Sequence, residues 1–290
     1  MREIKKSRLM LILSMVIFGT IGLFVRNIPM PSAGLALCRA VLAVVFILIC
    51  MLSTGRKIQL RGLGRSLPLL LLSGAAIGVN WILLFEAYRY TSVSIATLSY
   101  YFAPVIVMIA CPILFRERLT AKQLICFCCA TVGLVLIIGV TGLDGKSHMT
   151  GILFGLGAAV FYAAVILLNK TIKAVEGLSR TLLQLTAAAV VLTPYVLRTD
   201  SLDFAVLDTK GIVCLLTVGI VHTGVAYCTY FSALRSMPGQ EAAILSYTDP
   251  LLAVVLSVVI LGEPLSFPQI LGGVLLLGFT VFNEISIPKK

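Results

Sequence analysis

The chain has 290 residues, 59% of them apolar and only 12% charged, with a mean hydropathy of +1.07. A soluble domain of that size needs far more polar surface, so the composition excludes one and requires membrane spans of about 20 residues. The formal charge of +11 would suit a nucleic-acid binder only if it were gathered on one exposed face, and it is not.

Ten apolar runs follow one another: residues 9–25, 34–52, 67–87, 92–114, 122–140, 151–168, 181–197, 211–233, 240–262 and 267–284. The first runs straight into Arg26 and Pro31 with no small-residue cleavage site, so it is expected to stay as a span. With the amino terminus placed in the cytoplasm, inner segments hold 17 of the 23 basic residues and outer loops five, Arg39 lying within a span. This positive-inside asymmetry predicts a multi-pass protein of the inner (cytoplasmic) membrane with both termini cytoplasmic. The expected partners are the lipid bilayer and a small-molecule substrate, not nucleic acid. The protein is expected to act as a monomer, with a homodimer as the alternative. All eight cysteines fall in the apolar runs without zinc-site spacing, so they read as packing residues and no metal is expected.

The runs are not independent. Tyr101, Pro104, Glu117, Leu119 and Gln123 return as Tyr247, Pro250, Glu263, Leu265 and Gln269, at a constant offset of 146. Upstream, Gly78, Phe85, Ala87 and Arg89 return as Gly224, Phe231, Ala233 and Arg235, and Trp81 faces Tyr227. The chain is therefore one five-segment unit made twice, residues 1–145 and 146–290, forming one structural unit. Five is odd, so the second copy enters the membrane from the opposite side. The expected fold is an all-α integral membrane protein of ten transmembrane helices, arranged as two inverted five-helix repeats.

Local signals fill in this frame. Thr120-x-x-Gln123 and Ser266-x-x-Gln269 read as capping boxes at the fifth span of each half. Glu117 and Glu263 read as local structural groups beside them, and Glu241 as a helix-dipole carboxylate. Gly74-x-x-x-Gly78 and Gly151-x-x-x-Gly155 predict close helix packing. Pro104 and Pro250 predict a kink in the fourth span of each half.

These residues resemble the ten-span EamA-type branch of the drug/metabolite transporter superfamily. The likeness rests on a proline-containing span, a Glu-containing turn and a glycine-bearing final span in each half. The first set is Pro104, Arg116-Glu117-Arg118-Leu119, Gly133 and Gly139; the second is Pro250, Gly262-Glu263-Pro264-Leu265, Gly272 and Gly273. Arg39 falls where that family often has an arginine, whereas Glu86 and Asp249 depart from its common pattern. The resemblance implies an alternating-access carrier, often an exporter of amino acids or other small metabolites, with a cavity lined by spans 1, 3, 4, 6, 8 and 9.

A charge inside a span costs roughly 2.5–3.5 kcal/mol, so Arg39, Glu86, His222 and Asp249 each need a reason. Arg39 and Glu86 both fall in the outer third, and their counterparts, about Gln184 and Ser232, are both neutral. They read as an ion pair, either a structural lock or a gate, with Arg89 as a competing partner for Glu86. His222 and Asp249 each lie about 20 Å from the inner turn near residue 236, close to the bilayer midplane. They are the candidate proton-coupling groups, since intramembrane relays use Asp and His; packing roles stay open for both. Asn80, Trp81, Tyr101, Tyr227, Tyr230 and Tyr247 are the candidate substrate-binding residues, with Tyr100 and Tyr162 in the same polar-aromatic set. Packing alone is their alternative.

No HExxH, GxSxG or nucleotide-binding glycine loop occurs, so neither an enzyme nor a cofactor is expected and no residue is assigned a catalytic role. The leading expectation is a secondary active transporter, exporting small amphipathic metabolites such as amino acids, with proton coupling as one energy source. A non-transporting scaffold or sensor, and an uncoupled facilitator of the same fold, remain the alternatives.

Overall fold

The computed structural model describes residues 2–56, 63–115, 121–141, 146–172, 177–199, 202–234, 245 and 248–285. All regular structure among them is helical. The first half contributes α1 (Arg2–Gly19), α2 (Ile21–Val25), α3 (Ser32–Ser53), α4 (Leu63–Tyr90), α5 (Val93–Tyr100), α6 (Ala103–Phe115) and α7 (Ala121–Thr141). The second contributes α8 (Lys146–Thr171), α9 (Gly177–Arg198), α10 (Thr209–Leu216), a π-helical segment (Thr217–Val225), α11 (Ala226–Leu234), α12 (Thr248–Val259) and α13 (Phe267–Ile285).

α3 shows why these helices need a bilayer. Its inner stripe, Ala36, Ala40, Ala43, Ile47 and Met51, is buried at helical spacing. Its opposite face carries Val41, Val45, Ile49 and Leu52, which are 45–79% exposed. A helix apolar all round has no water-facing side. At 22 residues it is about 33 Å long, enough for a hydrocarbon core of about 30 Å. Six helices among the described residues are long and apolar enough to cross a membrane, and four shorter apolar stretches accompany them. The chain is an integral membrane protein.

Packing obeys the exchange of the two halves. α4 packs on α8 as α11 packs on α1, and α4 on α9 as the π segment packs on α3. α3 against α9 and α7 against α13 are their own counterparts. One contact repeats position for position: a Cβ on Gly78 would lie 3.0 Å from Leu192 Cγ, and a Cβ on Gly224 would lie 2.4 Å from Phe46 Cδ1. Both residues of each pair are related by the offset of 146.

The glycine expectation holds in detail. Gly74 and Gly78 let α9 onto α4, and Gly151 and Gly155 let α8 onto Thr91 and α5. Gly133 brings α7 against the α13 backbone at Gly272. The proline expectation needs correcting. The fourth span breaks at Tyr101–Phe102, and Pro104 then sits in the first turn of α6, as Pro250 does in α12. Proline is tolerated in a first turn because its missing N–H would have no helical partner there. At Ser266 only half of the capping box forms: the Gln269 side chain accepts from the Ser266 N–H at 2.8 Å, while the Ser266 hydroxyl has no partner. Glu117, Thr120 and Glu241 lie outside the described residues.

Glu263 is not a merely local group. Gly262 adopts φ +64°, a conformation that favours glycine, and turns the chain after α12. The Glu263 carboxylate then accepts the Val93 and Ser94 backbone N–H groups at 3.2 and 3.4 Å. It also pairs with Arg26 at 2.7 Å. A second-half turn thus caps α5 in the first half. Glu263→Ala strands two backbone donors and should cost about 1–3 kcal/mol, read as a lower melting temperature in detergent; an unchanged value would contradict the cap.

Candidate functional site

A cavity of about 580 Å³ lies between the two halves. Met15, Phe18 and Gly19 wall it from α1, Arg39 from α3, and Asn80, Trp81, Leu84 and Tyr88 from α4. Thr97, Tyr100 and Tyr101 come from α5 and its end, and Tyr162 and Asn169 from α8. The far wall is Gln184 on α9, Tyr227 and Tyr230 on α11, and Asp249 on α12. The six-span lining implied by resemblance is therefore too narrow, because α3 and α9 contribute as well.

Irregular backbone converges here. α1 ends at Gly19 and α5 ends beside Tyr101, and both residues face the cavity together with Asp249 of α12. Interrupted helices are tolerated at membrane depth only where protein or a cavity takes up the freed backbone groups. Asp249 sits in the first turn of α12, where the helix dipole favours a carboxylate. It accepts a hydrogen bond from the Tyr101 hydroxyl of the other half. Gly19 lets α1 pass directly over it: a Cβ there would lie 2.8 Å from the Asp249 carbonyl oxygen.

Arg39 and Glu86 are not paired with each other. Glu86 accepts from Ser32, the first residue of α3, and lies 3.4 Å from Arg89. Ser32 and Arg39 are seven residues apart, about 10 Å along the helix, so a carboxylate at the outer end does not reach the guanidinium. Arg39 instead donates from Nε to the Thr223 hydroxyl at 2.6 Å, and its Cζ lies 4.1 Å from the Trp81 ring centroid. Thr223 in turn donates to the Val218 carbonyl at 2.9 Å, five residues back. That spacing belongs to the wider π turn, whose carbonyls are aimed one residue further back than in an α-helix.

His222 uses the same geometry. Its Nδ1 lies 3.2 Å from the Thr217 carbonyl and its Nε2 2.9 Å from the Thr20 hydroxyl, with Phe24 packed 4.9 Å from its ring. A carbonyl only accepts, so Nδ1 carries a proton. His222 stands behind the cavity wall, and the structure does not bring it to Asp249. The Gly19–Thr20 corner lies between them, Gly19 against the Asp249 carbonyl and Thr20 against the His222 ring.

Of the remaining candidates, Asn80 lines the cavity and also donates to the Ala158 carbonyl at 2.7 Å, tying α4 to α8. Tyr100 stacks on Tyr162 at 5.1 Å and meets Tyr101 edge-on at 5.4 Å. Phe18 meets Tyr227 edge-on at 5.2 Å. Tyr247 lies outside the described residues. Sequence reasoning missed Tyr88, Thr97, Asn169 and Gln184. Gln184 was the one within reach, being next to Leu185, the position 146 after Arg39. It donates to Ser73 at 2.7 Å and Asn169 at 3.0 Å, so Arg39 and Gln184 each bind a hydroxyl on the other half's third segment.

Known proteins agree with this architecture. An uncharacterized transporter, YxxF, of Bacillus subtilis (strain 168) is 32% identical over 272 residues, covering 92% of this chain and 85% of its own. An uncharacterized transporter of Archaeoglobus fulgidus is 28% identical over 273 residues, 92% of each chain. A solved crystal structure shares the fold with a TM-score of 0.67 and 17% identity, covering 97% of both chains. The model of the EamA-like transporter family matches twice, over residues 5–139 and 149–283. The chain belongs to the EamA-like transporter family, within the scope of the drug/metabolite transporter superfamily.

Proposed function

We propose that the protein is a secondary carrier that moves small amphipathic metabolites, such as amino acids, out of the cell by alternating access. The observation that carries this reading is the cavity itself: both repeats wall it, and the helix interruptions at Gly19 and Tyr101 meet in it beside Asp249. Ten spans in two inverted halves, residues 1–145 and 146–290, would let one half rock against the other about a site at mid-membrane. The exchange-symmetric packing supports that arrangement. Both termini then lie in the cytoplasm, and one copy of the chain suffices for transport.

In this reading Asp249 carries the coupling proton. Tyr101 is its hydroxyl partner, and Arg39, Tyr88, Tyr100, Tyr162, Arg180, Tyr227 and Tyr230 are the other ionisable groups lining the cavity. His222 holds the corner at Thr20 against the π segment and so links the same region to helix geometry. Its first-half partner position gives Ala103 opposite Asp249, so the symmetric frame carries asymmetric chemistry. The test is a proteoliposome flux screen of amino acids, aromatic amines and small carboxylates, with and without a pH gradient. Saturable flux that responds to the gradient is expected. Saturable flux indifferent to it would make the protein an uncoupled facilitator, and no flux across the panel would count against transport of this class.

A further inference from the structure

We infer that Arg39 forms a carboxylate-binding subsite in the central cavity, so that the transported solute carries a carboxylate beside an apolar or aromatic body. This rests on the carrier reading and narrows its substrate class.

Arg39 is 4% exposed and lines the cavity. Its guanidinium is fixed on two sides. Nε is held by Thr223, whose own proton is committed to the Val218 carbonyl, so that hydroxyl oxygen can only accept. One face lies on Trp81, with the Phe85 ring centroid 5.5 Å away. The four N–H bonds on the two Nη atoms have no protein acceptor among the described residues. Nor is there a counter-ion among them: Glu86 goes to Ser32 and Arg89, Glu263 to Arg26, and Asp249 to Tyr101.

A charge kept at this depth without a partner is expensive. What the protein leaves open is the planar Nη edge, whose paired donors match the two oxygens of a carboxylate. The neighbouring wall is aromatic, with Tyr88, Tyr100 and Tyr227 beside Trp81, and accepts an apolar body. Gln184, also on the cavity wall, has its amide N–H donors already taken up by Ser73 and Asn169. The Arg39 subsite lies in the cavity that Asp249 also lines, where the other guanidinium on the wall, Arg180, donates to the Ile172 carbonyl at 2.6 Å.

Trp81 is the one tryptophan in the chain, so its fluorescence reports directly on this guanidinium. Purified protein in detergent is titrated with 3-phenylpropionate, L-phenylalanine, 3-phenylpropionamide, phenethylamine and phenyl phosphate. Saturable changes in Trp81 emission are expected with the two carboxylates and not with the neutral amide. Arg39→Lys should weaken that response by roughly tenfold or more, because an ammonium lacks the paired fork, and Arg39→Gln should abolish it. The melting temperature of each unliganded variant checks folding; if the Gln variant does not fold, the Lys variant decides.

An equal response to the amide, or unchanged carboxylate affinity in a folded Arg39 variant, would overturn the assignment. So would a response to phenyl phosphate alone, which would point to a phosphate headgroup or free phosphate ester. No response to either carboxylate would overturn it too, while an Asp249-dependent response to phenethylamine would leave the carrier reading standing.

Discussion

Asp249→Asn is expected to abolish pH-driven accumulation while leaving exchange of solute at equal pH intact. If one proton is exchanged per solute, a gradient of one pH unit supports at most about tenfold accumulation, equivalent to about 1.4 kcal/mol. Asparagine keeps the shape of the side chain and an acceptor oxygen for the Tyr101 hydroxyl, but it has no proton to exchange. The variant should therefore hold its fold and bring its accumulation ratio to about one in the same gradient. Counterflow of labelled against unlabelled solute separates this from simple inactivation. A variant that still accumulates solute in response to the gradient removes Asp249 as the coupling group.

The second large effect is expected in packing. Gly224→Ala places a Cβ 2.4 Å from Phe46 Cδ1 and 2.9 Å from its Cγ, so the Phe46 ring must shift or α3 must move off the π segment. Overpacking of this kind costs about 1–3 kcal/mol. The same seam carries the Arg39–Thr223 bond, so carboxylate binding should weaken together with stability. Phe46→Ala leaves only Phe46 Cβ, 3.2 Å from the added methyl, and should relieve the clash. In a double-mutant cycle the two changes should couple by about 0.5–3 kcal/mol, measured by thermal unfolding in detergent. Strictly additive losses would mean that Gly224 is not there to admit Phe46.

Much of this frame is legible in the sequence, because an offset of 146 preserves identities as well as hydropathy, and the exchange-symmetric packing of the helices follows it. Exposed valines and leucines opposite a buried alanine stripe, as on α3, are equally readable once a bilayer is assumed. The candidate site is only partly readable. Asp249 and Trp81 stand out as polar or aromatic groups too deep for an interface, and both face the cavity.

What escaped the sequence is contact between halves. The joint neutrality of Gln184 and Ser232 suggested that Arg39 and Glu86 belong together, but each first-half residue has its own partner. The acceptor for Arg39 is Thr223, 184 residues away. Nothing in the segment Thr217–Val225 marks a π turn beforehand, since threonine, valine and glycine also fill ordinary membrane helices. Its trace is visible only afterwards, in the side chains of His222 and Thr223 that reach carbonyls five residues back. Gln184 was passed over because it carries no charge, although it lies next to the position 146 after Arg39.

Opposite membrane orientation of the two repeats is the claim on which the carrier reading turns. Thr54 follows α3 and Thr199 follows α9, at equivalent places in the two halves, and both are exposed. In a cysteine-free variant, Thr54→Cys and Thr199→Cys should differ in their reaction with a membrane-impermeant maleimide applied to intact cells. Labelling at 199, with protection at 54 until the membrane is opened, is the predicted result; labelling of both, or of neither, would contradict it.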